Sequence, residues 1–122
     1  MGINTVASEN KIAIIVNREK NISILRINGK IIGEASNTLK HEIDEQKRNG
    51  AGNIILDLSA VPLMDSTALG KIIKALASLK KEGMRLVLLN PQEAVSNVLR
   101  ITRLDTIFEV YYDEQKAIST FD

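Results

Sequence analysis

The stretch Asn53 to Leu58 is almost continuously apolar, with Ile54, Ile55, Leu56 and Leu58 interrupted only by Asp57. A strand without alternation has no solvent face, so this one must be covered on both sides and lie centrally in a sheet. Arg85 to Leu89 repeats the pattern. The segments around these two runs supply the covering layers. From Glu34 to about Arg48, Ala35, Leu39 and Ile43 recur every four residues, the stripe of a surface helix that Asn49-Gly50-Ala51-Gly52 stops. A second helix opens at Asp65 or Ser66. It buries Leu69, Ile72, Ile73, Leu76 and Leu79, turns Lys71, Lys74, Ser78 and Lys81 outward, and closes at Gly83. A third helix over about Gln92 to Ile101, a short strand over Ile107 to Tyr111 and a final helix over Glu114 to Ser119 complete the order. At the other end, Lys11 to Asn17 and Asn21 to Asn28 read as two strands paired as an antiparallel hairpin across a polar break. Alternating strands and helices predict an α/β domain over residues 11–122. Its sheet is mostly parallel, with an N-terminal antiparallel hairpin and about four helices packed on it. Residues 1–10 are small, polar and aperiodic, and read as a mobile tail.

Composition narrows the function classes. The chain of 122 residues fits one domain, and its 16 basic against 15 acidic residues leave a net charge of +1, which supplies no global field toward nucleic acid. With no cysteine and a single histidine, His41, it has no thiolate metal site and no cysteine nucleophile. The N-terminus lacks a charged-then-apolar leader, and no apolar run approaches the ~20 residues needed to span a bilayer. A cytoplasmic chain without membrane insertion is expected. The basic set Lys71, Lys74, Lys80, Lys81 and Arg85 comes with only two Tyr and two Phe for stacking, so it reads as a solvated helix face rather than a nucleic-acid site.

Catalytic patterns fail one after another. Gly70-Lys71 is followed by Ile72, and Asp65 stands where a Walker loop needs its first Gly. His41-Glu42 is followed by Glu45 where a zinc helix needs a second His. No Gly-x-Ser-x-Gly elbow presents a nucleophile, and His41 reads as a surface residue. The neighbours Asp44-Glu45 and Asp113-Glu114 diverge in direction and read as surface charges. Asp57, a carboxylate inside an apolar strand, needs a partner, and nearby loop N–H groups are the simplest one. Neither an enzyme nor a metal or cofactor site is expected.

The informative stretch runs from Ile54 to Gly70, from buried strand through a Pro62 loop into a helix that begins Asp65-Ser66-Thr67. As structure, Asp65 or Ser66 is an N-cap. As chemistry, a hydroxyl at a helix N-terminus is a place where a phosphate is tolerated, because free N–H groups and the positive dipole end favour an anion. The same groups leave weak nucleotide or anion binding open.

At these residues the sequence resembles the STAS domain, and more closely the anti-sigma factor antagonists of bacterial partner-switching systems. The resemblance rests on Leu56-Asp57-Leu58, Met64-Asp65-Ser66-Thr67-x-Leu69-Gly70, Arg85 to Leu89 followed by Asn90-Pro91, and Leu99-x-x-Thr102-x-Leu104-Asp105-x-x-Phe108-Glu109-Val110, with Asn28-Gly29 after the second strand. It implies a binding domain without chemistry of its own. Ser66 corresponds to the residue phosphorylated by an ATP-dependent anti-sigma factor kinase and dephosphorylated by a metal-dependent serine phosphatase, with Thr67 as a secondary acceptor. The unmodified form binds the anti-sigma factor, which releases its sigma factor, and phosphate blocks the binding. The implied contact set is Gly29, Ile31, Ile32, Asp65, Ser66, Thr67, Leu69 and Asn90. Two positions depart from the family's habit: Ile32 stands where an acidic residue is common, and Ala68 stands where Gly is common, which favours the helix and narrows the approach to the acceptor. The alternative is a non-switching interaction module of a transporter-associated lipid-trafficking or sensory complex.

Overall fold

Six strands pair in the order of the sequence, β1 (Ile3–Ala7), β2 (Ala13–Glu19), β3 (Ile22–Asn28), β4 (Asn53–Ala60), β5 (Leu86–Leu89) and β6 (Glu109–Tyr111). The structure, a computed structural model, describes residues 3–7, 12–50 and 52–122. β1 to β3 are antiparallel, and β3 to β6 are parallel. The helices are α1 (Ala35–Arg48), α2 (Ser66–Lys81), α3 (Glu93–Ile101) and α4 (Glu114–Ser119), with a 3-10 turn at Leu104–Thr106. The expected α/β architecture, mostly parallel sheet, hairpin and four helices are all present.

The monotonic strand order decides where the helices go. Right-handed crossovers between neighbouring parallel strands all land on the same face, so α1, α2 and α3 form one layer. Their apolar stripes meet Ile14, Val16, Leu25, Ile27, Ile54, Leu56, Leu58, Leu86 and Leu88 in the larger core. The opposite face carries Ile22, Ile24, Ile55, Val87 and Leu89, and Ala117 of α4 closes over them. β4 therefore alternates between two cores instead of core and solvent, which is why its sequence shows no alternation.

The hairpin is tighter than its polar break suggests. Pairing continues to Glu19 and Ile22, leaving Lys20-Asn21 as the turn, with Lys20 at φ 57°.

The N-terminus departs from expectation. Where a mobile tail is predicted, Ile3–Ala7 lies antiparallel on β2, with Ile3 opposite Asn17 and Ala7 opposite Ala13. Edge pairing is driven by backbone hydrogen bonding to the open side of β2, and neither a short run nor its composition announces it. The remainder of the tail, residues 1, 2 and 8–10, lies outside the described residues, as does Lys11 at the start of the expected second strand.

Candidate functional site

The loops that follow β3 and β4 leave from the carboxyl ends of adjacent parallel strands, so they run side by side. Gly29 N–H donates to Ala60 O at 3.0 Å and Ile31 N–H to Leu63 O at 3.0 Å, and Asp65 N–H returns to Ile31 O at 3.2 Å. An isolated parallel bridge joins Ile31 to Met64. The sheet is thus prolonged beyond its strands, up to the first turn of α2.

Asp65 completes this junction. One carboxylate oxygen accepts Ala68 N–H at 2.9 Å, capping α2, and the other accepts Gly33 N–H at 2.8 Å from the neighbouring loop. The bond from Gly33, then that from Ala68, holds the Asp65 carboxyl below its ordinary value. Gly33 reaches this position in the left-handed region, at φ 56°. Asp65 is therefore both helix cap and loop clamp. Both of its oxygens are engaged by backbone, which leaves it as a positioning group.

Ser66 and Thr67 follow as the first residues of α2, and both are exposed. Among the described residues neither hydroxyl makes a hydrogen bond. Ile32 and Leu63, each 42% exposed, stand on the two clamped loops beside them. Of the residues implied as contacts, the structure brings Gly29, Ile31, Ile32, Asp65, Ser66 and Thr67 to one end of the sheet.

Two members of that set are buried. Ile31 is fully buried and Leu69 is 6% exposed, both in the larger core. Ile31 is inward because its backbone forms the bridge to Met64, and Leu69 is on the stripe of α2 that faces the sheet. Their side chains support the loops and do not face a partner. Ala68 is likewise buried, so its methyl group does not narrow the approach to Ser66. Asn90 ends β5 with φ 52° and donates its N–H to Tyr111 O at 2.8 Å, a backbone role that Asn tolerates in the left-handed region.

Leu63 is absent from the sequence-derived set. A Leu in a loop after Pro62 carries no periodicity to reveal whether it points in or out, and only the pairing with Ile31 fixes its direction.

Asp57 lies on the opposite face. Its Oδ1 accepts Ser59 N–H at 3.0 Å, an amide within β4 where a loop amide was the expected donor, and the β3–β4 register shifts just there. Its Oδ2 accepts from Arg26 at 3.0 Å, the residue opposite it on β3. The same guanidinium donates to both Glu114 oxygens, at 2.7 and 3.1 Å, and to Asn17 Oδ1 at 2.6 Å. Glu114, chiefly, and Asp57 raise the Arg26 pKa against partial desolvation. Asp113 caps α4 through Lys116 N–H. Asp113 stays an exposed charge that caps its own helix, whereas Glu114 is not a free surface charge, because α4 packs over the sheet and brings it to Arg26. His41 is exposed on α1.

The STAS domain family model matches residues 13–117. A Thermotoga neapolitana protein, provisionally named an anti-sigma factor antagonist homologue, is 38% identical over 79 residues, which is 65% of this chain and 70% of that protein. A crystal structure of a Thermotoga maritima protein, again provisionally an anti-sigma factor antagonist, superposes with a TM-score of 0.81 at 29% identity, covering 86% of this chain and 91% of the other. The anti-sigma factor antagonist SpoIIAA in its unphosphorylated form shares the fold, with a TM-score of 0.77 at 22% identity over 88% of this chain and 95% of that one. No described helix is long and apolar enough to cross a membrane.

Proposed function

The chain belongs to the STAS domain family, and from that premise we propose that it is an anti-sigma factor antagonist, binding an anti-sigma factor through the loop end around Ser66 and released by phosphorylation of Ser66. The observation that carries this reading is a pair of exposed, unengaged hydroxyls, Ser66 and Thr67, beside the exposed Ile32 and Leu63, on backbone fixed by Asp65. Apolar side chains held on a rigid platform are suited to burial against a partner. A phosphoryl group at Ser66 adds about −1.5 to −2 charges at their margin. The α2 N-terminus tolerates that charge, so the fold survives while the interface must desolvate a dianion. The names of the Thermotoga relatives support the same role. In this reading an ATP-dependent serine kinase, which is the anti-sigma factor itself, adds the phosphate, a serine phosphatase removes it, and the exchange takes place in the cytoplasm. Thr67 is the secondary acceptor. The chain itself acts as substrate and ligand, not as enzyme.

Incubation with ATP and each anti-sigma factor kinase encoded in the same genome, followed by peptide mapping, is expected to place a single phosphate on Ser66. Ser66→Ala is expected to stay unmodified and still bind, and Ser66→Asp to lose binding. A Ser66→Asp chain that binds as tightly as wild type would refute the switch. Purification with transporter components, without phosphate on the intact mass, would favour the non-switching module instead.

A further inference from the structure

We infer that the docking face continues from Ser66 along a basic groove between α1 and α2, and that the protein partner presents an acidic segment to it; this rests on reading the Ser66 end as the docking face. The groove holds about 180 Å³ and is lined by Lys40, Asp44, Lys71, Lys74, Ala75 and Ser78. Lys40 neutralises Asp44 at 2.7 Å. Among the described residues Lys71 and Lys74 have no carboxylate within ion-pair distance, and Lys71 donates only to the neutral Oδ1 of Asn37. The groove therefore carries an excess of two positive charges at neutral pH, while the domain as a whole is nearly neutral.

Continuity with the first turn of α2 runs through Thr67 and Asn37, since Ser66 itself shares its helix face with Gly70, Ile73 and Ala77. Lys71 is one turn beyond Thr67 on the same face of α2. Asn37 connects it to the start of α1, where its Nδ2 donates to Glu34 Oε2 at 2.8 Å. A partner covering Ile32, Leu63 and Ser66 thus meets Lys71 and then Lys74 as it follows α2. Exposed lysines add little to affinity by themselves but steer an acidic surface into register. The arrangement also bears on the switch, because Ser66 lies on the adjoining face of the same end of α2, and a phosphate there adds negative charge that repels the acidic segment the lysines attract.

The test measures association rates of wild type, Lys71→Glu/Lys74→Glu, Lys71→Ala/Lys74→Ala and Ser66→Asp with the panel of anti-sigma factors, by surface-immobilised kinetics at about 50 and about 300 mM salt. The charge-reversed variant is expected to associate at least about tenfold more slowly at low salt, the alanine variant less so, with the difference shrinking at high salt. Both lysines are solvent-accessible, and unchanged thermal melting verifies that the variants fold. If Ser66→Asp abolishes binding while the lysine variants associate like wild type, this inference fails and the Ser66 reading stands. If the lysine variants slow association while Ser66→Asp does not weaken binding, the groove stands and the switch fails. If wild type binds no member of the panel, both fall. If the lysine variants bind the anti-sigma factor normally but lose affinity for a short DNA duplex or for phosphatidylserine vesicles, the groove serves a different polyanion and the inference is overturned.

Discussion

Asp57 and Asp65 belong to one strand-loop-helix segment and do opposite work. Asp57 is nearly buried on the α4 face, where its carboxylate is paired with a cation that also holds Glu114. Asp65 is partly exposed at the end of the sheet, where its carboxylate takes two backbone N–H groups from different loops. The first fastens a helix to a sheet by charge. The second fastens loops without consuming any side chain that a partner could use, which leaves Ser66 free. Binding surfaces of this kind need rigid backbone beneath uncommitted side chains.

The largest effect is expected from breaking the charge cluster. Arg26→Ala strands two carboxylates beside one another and removes three ionic or polar partners, so a loss of about 1.5–3 kcal/mol in denaturant unfolding is expected, with Ser66 phosphorylation retained. If phosphorylation were lost while the fold stayed intact, the independence of the two regions would be disproved. Asp65→Ala should cost about 1 kcal/mol as a lost cap and, in addition, release Gly33. Amide exchange at Gly33 and Ala68 would then accelerate, and binding would weaken with the loops. Asp65→Asn divides these roles, since its single carbonyl oxygen can keep the cap but cannot serve both loops as the carboxylate does. It should retain stability to within about 1 kcal/mol and still speed exchange at Gly33.

Acid provides a gentler probe of the same clamp. The folded Asp65 carboxyl titrates below its unfolded counterpart, so its stabilisation is complete above the unfolded range near about pH 4. It should be lost as pH falls from there through the lower folded value, and Gly33 exchange should report it. Ser66→Ala is expected to change unfolding by no more than about 0.5 kcal/mol, because the hydroxyl is exposed and unengaged.

Much of this was legible without coordinates, for identifiable reasons. The two-sided burial of β4 and β5 was written in their unbroken apolar runs, and the start of α2 in Asp65-Ser66-Thr67. What sequence could not give depended on contacts distant along the chain. Arg26 and Glu114 are 88 residues apart, and no local pattern relates them. Ile31 and Ile32 are adjacent and chemically identical, yet one is buried and the other 42% exposed, because the bridge to Met64 turns only Ile31 inward. Leu63, in a loop without periodicity, was likewise settled only by pairing, whereas the burial of Leu69 was already given by its place on the apolar stripe of α2. β1 was invisible because its stabilisation lies in backbone pairing to β2.

In the proposed switch, Ser66 controls binding from a platform that phosphorylation does not disturb. Its most direct test is the dissociation constant of one preparation, split into unmodified and Ser66-phosphorylated protein, against the anti-sigma factor that modifies it. A loss of a few kcal/mol corresponds to roughly a hundredfold weaker binding or more, with unchanged thermal melting, and that is the expected result. Equal affinity of the two forms would contradict the account.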